Sequence, residues 1–306
     1  MTGREVVVRA PAKVNVHLAV GPLRPDGFHE LRTVYLAVSL FDTVTVRAGD
    51  GLALTLSGEG ADGAVPIDRR NLVWRAAELL AASAGVPADA AIDIAKTIPA
   101  AGGLAGGSAD AAAALVALDA LWDTRAGRGE LAALAAQLGS DVPFSLQGGV
   151  ALGTGRGERL SPVLARSRWH WVLGIAGEGL STPAVYAELD RMRNAGRVPD
   201  GTDLAPAETV IAALRGEDPG DLAGALVNDL QAPAVALRPA LRRALQAAGE
   251  SGAAGALVSG SGPTVAALAR DEQAAVRLAA ALAGSGLFRT VRAVHGPVPG
   301  ARVVSS

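Results

Sequence analysis

The stretch from 98 to 121 constrains the fold most, because a glycine-rich turn runs directly into an alanine-rich helix: I-P-A-A-G-G-L-A-G-G-S-A-D-A-A-A-A-L-V-A-L-D-A-L. Four glycines fall within the six residues 102–107, and Ser108 follows where it can cap the helix. Glycine lets backbone amides approach a ligand closely, and the first free N–H groups of a helix carry partial positive charge. The stretch therefore predicts an anion cradle, most naturally for phosphate. A plain helix start with loose glycines is the alternative that this stretch leaves open.

The composition is that of a folded protein with room for two domains. Of the 306 residues, 50% are hydrophobic and 19% are charged, which supports a sizeable core. The formal net charge of −2 offers no electrostatic footprint for nucleic acid. The absence of cysteine excludes disulfides and thiolate metal sites. Because there is no signal-peptide core and no apolar run long enough to span a bilayer, we expect a soluble cytoplasmic protein without a membrane partner.

The first half of the chain contains predicted strands with one polar face. Over 13–20 the residues alternate, so Lys13, Asn15 and His17 share one face, and such a face is either solvated or lines a site. Further strands are predicted over 6–8, 31–40, 43–47, 52–56 and 92–94, and helices over 71–84, 108–121 and 130–138. Asp141, in G-S-D-V-P-F, stands where it can cap a helix. The G-T-G-R-G run at 153–157 does not fit a dinucleotide fingerprint and predicts a hairpin.

From Trp169 the alternation of strands and helices begins again. The predicted order is strand, several helices, two strands, helix and strand, which is typical of a ferredoxin-like split βαβ unit. A second glycine turn, S-G-S-G-P, lies between its middle strands at 259–263. We therefore predict an α+β protein with an amino-terminal domain over 1–165 and a carboxy-terminal domain over 166–306.

Several common phosphate and catalytic motifs are absent. No Lys-Ser or Lys-Thr follows the glycines, which excludes a Walker A loop, and the spacing excludes a Rossmann fingerprint. There is no nucleophile elbow and no protein-kinase loop set. The four histidines are scattered without the spacing of metal ligands.

Three segments together resemble a known family, the GHMP small-molecule kinases. They are P-A-K-V-N-V at 11–16, P-A-A-G-G-L-A-G-G-S-A at 99–109 and S-G-S-G-P-T at 259–264, and their order and separations agree with the three motifs of that family. The resemblance spans essentially the whole chain. It implies a ribosomal-protein-like α/β domain followed by a ferredoxin-like domain, with the active site in the cleft between them.

Within this family, D-G-F-H at 26–29 and G-S-D-V-P-F at 139–144 narrow the resemblance to the branch that acts in the non-mevalonate isoprenoid pathway. The resemblance implies ATP- and Mg²⁺-dependent phosphorylation of the 2-hydroxyl of a cytidine diphosphate-linked methylerythritol. Asp141 would be the general base, and Lys13 would hold it and meet the charge on the moving phosphoryl group. Capping by Asp141 remains compatible with that role.

The resemblance also implies the residues that bind each substrate. Those expected to contact the acceptor are Asn15, Phe28, His29, Tyr186 and Gly262, with the cytosine between the two aromatic rings and its edge against His29. Those expected to contact ATP are Pro99, Ala100, Ala101, Gly102, Gly103, Leu104, Ala105, Gly106, Gly107, Ser108 and Ala109, with Asn71 and Leu72 at the adenine and Lys96 before the turn. Ser108 is also the expected Mg²⁺ ligand. Tyr186 as an ordinary core residue and Lys96 as a surface lysine are the alternatives.

Three other functions stay open at this point. The chain resembles GHMP kinases for homoserine, mevalonate or sugars as well, but these are not expected to carry both the D-G-F-H loop and Tyr186. A non-catalytic nucleotide-binding regulator is disfavoured because Lys13 and Asp141 are both present. An RNA-binding protein is disfavoured by the acidic charge balance. We expect a monomer or a weak homodimer.

Overall fold

The computed structural model describes residues 4–100, 102–175, 177 and 179–305. The strands are β1 (Glu5–Leu23), β2 (His29–Arg47), β3 (Leu52–Gly58), β4 (Ala90–Lys96), β5 (Val150–Thr154), β6 (Arg159–Pro162), β7 (Trp169–Ile175), β8 (Val227–Asn228), β9 (Gly255–Val258), β10 (Thr264–Ala269), β11 (Thr290–Gly296) and β12 (Arg302–Ser305). The helices are α1 (Leu72–Ala84), α2 (Gly106–Trp122), α3 (Arg128–Leu138), α4 (Val142–Gln147), α5 (Thr182–Asn194), α6 (Glu208–Arg215), α7 (Pro219–Gly224), α8 (Gln231–Leu237), α9 (Ala240–Glu250) and α10 (Glu272–Gly284).

The first sheet is built on two long antiparallel strands, β1 and β2, of 19 residues each. Strand β2 also pairs with β4, and β4 runs parallel to the edge strand β3. A different part of β2 pairs with β5. The sequence predicted a break between two strands near Pro11 and another break between two strands near Asp42. Both residues lie instead within continuous strands, because the β1–β2 register shifts beside Pro11 and so accommodates a residue that cannot donate to the ladder.

A second register shift, between Asn15 and His17, changes which side chains face the same side of the sheet. Asn15 pairs with Tyr35, but Leu18 pairs with Thr33, so the alternation moves by one residue at the irregularity. The prediction that His17 shares a face with Lys13 and Asn15 is therefore wrong. The His17 imidazole Nε2 lies 3.1 Å from the carbonyl oxygen of Ala205, and burial lowers the pKa of His17.

Helix α2 is the central helix of the first half, and its alanines explain how it fits. It packs against β1, β2, α1 and α4, and residues 111–115 are fully buried. A helix that is apolar on nearly all sides belongs in a core, and small side chains let several elements approach it closely. The alanine-rich segment after the glycine turn is thus a core helix that holds the turn in place.

The second sheet has the order β11-β7-β10-β9 and is antiparallel throughout. Helices α5 to α9 lie between β7 and β9 in the chain, and α10 joins β10 to β11, which is the predicted split βαβ order. Two short strands from this half, β8 and β12, pair with β1 of the first sheet. The boundary at residue 165 stays a prediction, since these strands tie the second half of the chain to the first sheet.

Within the described residues, no helix combines the length and the apolar character that are needed to cross a lipid bilayer.

Candidate active site

A cavity of about 720 Å³ opens between the two halves of the molecule. This volume lies in the range of small-molecule binding sites. Residues of the glycine turn, of β1 and β2, of α5 and of the second glycine turn all line it. Among the predicted site residues, those that line the cavity are Lys13, Asn15, Phe28, His29, Pro99, Ala100, Gly102, Gly103, Ala105, Gly106, Gly107, Ser108, Asp141 and Tyr186.

Lys13 lines the cavity with a nearly buried ammonium group, and its side chain is only 7% exposed. Its Nζ donates hydrogen bonds to Asn15 Oδ1 at 2.6 Å and to the Gly103 carbonyl oxygen at 3.1 Å. The same Nζ lies 3.6 Å from Asp141 Oδ2. Asn15 is itself held by Thr33, whose Oγ1 accepts from Asn15 Nδ2 at 2.8 Å. Lys13 therefore joins the glycine turn to the Asp141 carboxylate through a largely buried polar network.

Asp141 directs its carboxylate towards the cavity instead of capping a helix. It occupies the cap position of α4, but its side chain makes no capping hydrogen bond. Its Oδ1 accepts from the Tyr35 hydroxyl at 3.0 Å, while Oδ2 faces Lys13. The side chain is 29% exposed, so one edge of the carboxylate is accessible from the cavity. A carboxylate beside a lysine can accept a proton from a hydroxyl, and the lysine can stabilise negative charge nearby.

The glycine turn presents the start of α2 to the cavity. Ala105 is in the left-handed conformation at φ 59° and precedes the first helical residue, Gly106. Ser108 is therefore the third helical residue, and the prediction that it caps the helix is wrong. The amide N–H groups of Gly106, Gly107 and Ser108 have no partner within the helix, and they lie at its positive end. This geometry fits an anion, and phosphate in particular.

The two glycine turns touch each other through their backbones. Gly103 has φ +76°, and a Cβ there would overlap the carbonyl oxygen of Ser259. Ser259 Oγ donates to the Gly103 carbonyl oxygen at 3.2 Å, and Thr264 N donates to that of Gly102 at 3.3 Å. The second turn thus closes the cavity against the first. Gly262 does not line the cavity; Gly260 and Ser261 of the same turn do.

Several residues expected at the nucleotide lie behind the cavity wall. Leu104 and Ala109 are fully buried, and Leu72 packs on the same core. Asn71 is the cap of α1, because its Oδ1 accepts from Val73 N at 2.9 Å. Ala101 lies outside the described residues. Any contact that these residues make with a nucleotide therefore stays a prediction.

Lys96 also lies behind the wall, and it is neither a surface lysine nor a cavity residue. Its ammonium is 2.5 Å from Asp42 Oδ2 and 2.6 Å from Asp110 Oδ2, and its side chain is 2% exposed. Burial opposes the charge of Lys96, but Asp110 and Asp42 raise its pKa overall, while burial raises the pKa of Asp110. Asp42 Oδ1 accepts from the amides of Thr97 and Ile98. The cluster fixes the end of β4, from which the glycine turn begins.

Aromatic side chains form the other end of the cavity. Phe28 is 46% exposed, and the guanidinium carbon of Arg156 lies 5.0 Å from the centre of its ring. The His29 and Tyr186 rings lie 5.0 Å apart at 31°, and burial raises the pKa of Tyr186. His29 Nε2 is 3.0 Å from Asp190 Oδ1. Flat rings and a paired histidine are suited to a planar heterocycle.

Among the cavity-lining residues that were not predicted from the sequence, three have titratable side chains. Arg156 is at the tip of the predicted hairpin, which the structure forms between β5 and β6. Asp190 follows Tyr186 by four residues in α5, a spacing that places both on one helix face. Tyr35 pairs with Asn15 across β1 and β2. The helical spacing alone could have indicated Asp190, whereas the other two depend on strand register and on the path of the hairpin.

Within the described part of the chain, no group of three or more His, Cys, Asp or Glu residues is arranged to hold a metal ion. A Mg²⁺ ion that is carried largely by substrate phosphates needs only one or two protein ligands. Ser108, which lines the cavity in the first turn of α2, carries a hydroxyl of the kind that fits that limited role.

Comparison with known proteins agrees with this geometry. The sequence model described as "GHMP kinases N terminal domain" matches residues 71–149, and that described as "GHMP kinases C terminal" matches residues 210–286. A curated relative from Salinispora arenicola (strain CNS-205), named 4-diphosphocytidyl-2-C-methyl-D-erythritol kinase, is 58% identical over 97% of this chain and 93% of its own. A relative of the same name from Mycobacterium tuberculosis (strain ATCC 25177 / H37Ra) is 57% identical over 98% of this chain and 93% of its own.

Solved structures give the same result. A crystal structure of 4-(cytidine 5'-diphospho)-2C-methyl-D-erythritol kinase matches with a TM-score of 0.76 at 38% identity, covering 95% of this chain and 98% of that one. Homoserine kinase from Cytophaga hutchinsonii matches with a TM-score of 0.75 at 19% identity, covering 99% and 98%, a likeness of fold alone. The predicted two-domain α+β fold is confirmed, and the chain belongs to the GHMP kinase family.

Proposed function

We propose that this chain transfers the γ-phosphoryl group of ATP to the 2-hydroxyl of 4-diphosphocytidyl-2-C-methyl-D-erythritol, a step of the non-mevalonate isoprenoid pathway. The observation that carries the proposal is a single cavity whose wall contains the start of α2, the Lys13–Asp141 pair and an aromatic end with His29. The names of relatives at 57–58% identity support this acceptor.

The two ends of the cavity suit the two substrates. The free amides at the start of α2 are assigned to the ATP phosphates. The Phe28, His29 and Tyr186 end is assigned to the cytosine, because stacking tolerates either Phe or Tyr and a histidine supplies an edge hydrogen bond. The alcohol to be phosphorylated then lies between these ends, where Lys13 and Asp141 are found.

The chemistry assigned to the chain's own residues is proton removal and charge stabilisation. In this assignment Asp141 Oδ2 accepts the proton of the attacking hydroxyl, and Lys13 balances the charge that develops on the moving phosphoryl group. When bound, Mg²⁺ would neutralise phosphate charge, with Ser108 as its protein ligand. The cytoplasmic location and the monomeric or weakly dimeric state stay predictions.

A panel of alcohol acceptors tests the proposal. Purified chain with ATP and Mg²⁺ is incubated separately with 4-diphosphocytidyl-2-C-methyl-D-erythritol, homoserine, mevalonate and galactose, and ADP release is measured. We expect the highest kcat/KM with the cytidylated acceptor. A preference for homoserine, mevalonate or galactose would assign the chain to another branch of the family, and no turnover of any acceptor would favour a non-catalytic regulator.

A further inference from the structure

Tyr35 is a buried aromatic residue at the edge of the cavity with no role in the mechanism above. It lies on β2 directly opposite Asn15 on β1 and Ala151 on β5, and it is 2% exposed. Because paired residues on adjacent strands point to the same face of a sheet, the Tyr35 ring lies on the same face as the Asn15 side chain. This places a phenol hydroxyl in the polar network around Lys13.

The surroundings of the Tyr35 ring hold it in one position. The ring stacks on Phe144 with a centroid distance of 4.8 Å and an interplanar angle of 24°. A Cβ on Gly153 would lie 2.7 Å from Tyr35 Cε2, and a Cβ on Gly157 would overlap the hydroxyl. These two glycines belong to the G-T-G-R-G hairpin, for which phosphate binding offers no explanation. Their lack of side chains leaves room for this ring.

The Tyr35 hydroxyl is bonded to the Asp141 carboxylate. It donates to Asp141 Oδ1 at 3.0 Å, and Oδ2 is the oxygen nearest Lys13. Burial first, and then the negative charge of Asp141, hold the pKa of Tyr35 well above its usual range, so the phenol keeps its proton and donates. One carboxylate oxygen is thereby occupied, and the other is left for the acceptor hydroxyl.

Phe144 connects the ring to the same short helix that carries Asp141. Phe144 lies in α4, and Asp141 stands at the cap position of that helix. Tyr35 therefore contacts this segment twice, through ring stacking and through its hydroxyl. A partly exposed carboxylate without such contacts would rotate among several side-chain conformers.

We propose that Tyr35 is a positioning residue that holds the Asp141 carboxylate with Oδ2 towards the acceptor hydroxyl. This inference rests on the proposed function, in which Asp141 is the general base. Misplacement of a catalytic group lowers the rate of the chemical step more than it lowers substrate binding, because reaction geometry is more demanding than binding geometry.

A double-mutant cycle tests the role. Tyr35→Phe keeps the ring and its stacking but removes the hydroxyl, and Asp141→Asn removes the base. We expect Tyr35→Phe to lower kcat about tenfold, with KM for both substrates changed less than about threefold. In the Asp141→Asn background, the same substitution should cause no further loss, because Tyr35 acts only through the carboxylate.

Ser39→Ala is the matched control, since it also removes a hydroxyl from β2. Ser39 bonds His295 and lies outside the cavity, so this variant should keep the wild-type kcat. Thermal melting of each variant checks that the fold is retained.

The cycle has clear contrary outcomes. A wild-type kcat in Tyr35→Phe, or an equal loss in both backgrounds, would overturn the positioning role. The cycle is run with whichever acceptor the wild-type chain phosphorylates best. A preference for another acceptor therefore overturns the proposed substrate while still testing Tyr35, and a chain without kinase activity overturns both.

Discussion

Lys13 and Asp141 are held by different neighbours, and this difference suits the separate roles that we propose for them. Lys13 is almost enclosed, with hydrogen bonds to Asn15 and to the glycine turn, so its charge is fixed at one place. Asp141 is more exposed and keeps one oxygen directed at Lys13 and the cavity. A rigid cation beside an accessible carboxylate is the arrangement that phosphoryl transfer to an alcohol needs, because positioning and charge stabilisation account for most of the catalysis.

Tyr186 is the residue whose substitution tests the aromatic end of the cavity. Stacking of a base on an aromatic side chain contributes about 1–3 kcal/mol, so Tyr186→Leu should raise KM for the cytidylated acceptor by about 5- to 150-fold. Tyr186→Phe keeps the ring and should remain close to wild type. Neither variant should change the Kd of ATP measured by titration calorimetry.

A contrary result would mean that Tyr186 is an ordinary core residue. If Tyr186→Leu lowers the melting temperature but leaves KM for the acceptor unchanged, the ring supports the fold and does not bind the base.

At the level of elements, the glycine turn depends on what lies behind it. The buried Asp42–Lys96–Asp110 cluster joins the end of β4 to β2 and to the second turn of α2. The core helix α2 carries the turn on one side, and the second glycine turn contacts it on the other. Elements on three sides therefore fix the backbone that we propose to bind phosphate, which lowers the entropy cost of ordering it on binding.

Removal of Asp42 should destabilise the fold strongly. Asp42 is fully buried and accepts hydrogen bonds from Lys96 and from the amides of Thr97 and Ile98. Loss of one partner from a buried ion pair typically costs about 3–5 kcal/mol, and we expect Asp42→Ala to lower the free energy of unfolding by that amount. Urea unfolding followed by circular dichroism measures it.

Asp68→Ala provides the comparison, because Asp68 pairs with Arg70 at the exposed surface and its loss should leave the unfolding midpoint almost unchanged. If Asp42→Ala unfolds at the same urea concentration as the control, the buried cluster does not stabilise the fold.

Sequence patterns predicted the elements of this fold more reliably than their registers. The glycine motifs were predictable because close backbone contact between two turns excludes side chains, as at Gly103. The side of the sheet on which His17 lies was not predictable, because a single irregularity after Asn15 reverses the alternation. The burial of Lys96 was not predicted either. It depends on Asp42, which is distant in the chain, and on Asp110, which lies on α2.

At the scale of the whole molecule, the cleft is built from both halves of the chain. The first half contributes Lys13, Asp141 and the start of α2, and the second contributes Tyr186 and the turn that contains Gly260. Strand β12 returns to β1, so the last part of the chain is tied to the first sheet. The cleft was predicted from the resemblance to the GHMP kinases, whose three motifs lie far apart in this sequence.

The central claim is that Asp141 is the base of a phosphoryl transfer in this cleft. The most direct measurement is the turnover of Asp141→Asn with ATP and the cytidylated acceptor, together with the Kd of ATP for the same variant. We expect kcat to fall by about 10²–10⁴-fold, because general base catalysis contributes that much, while the Kd of ATP stays at the wild-type value. A variant that keeps the wild-type kcat would contradict the account.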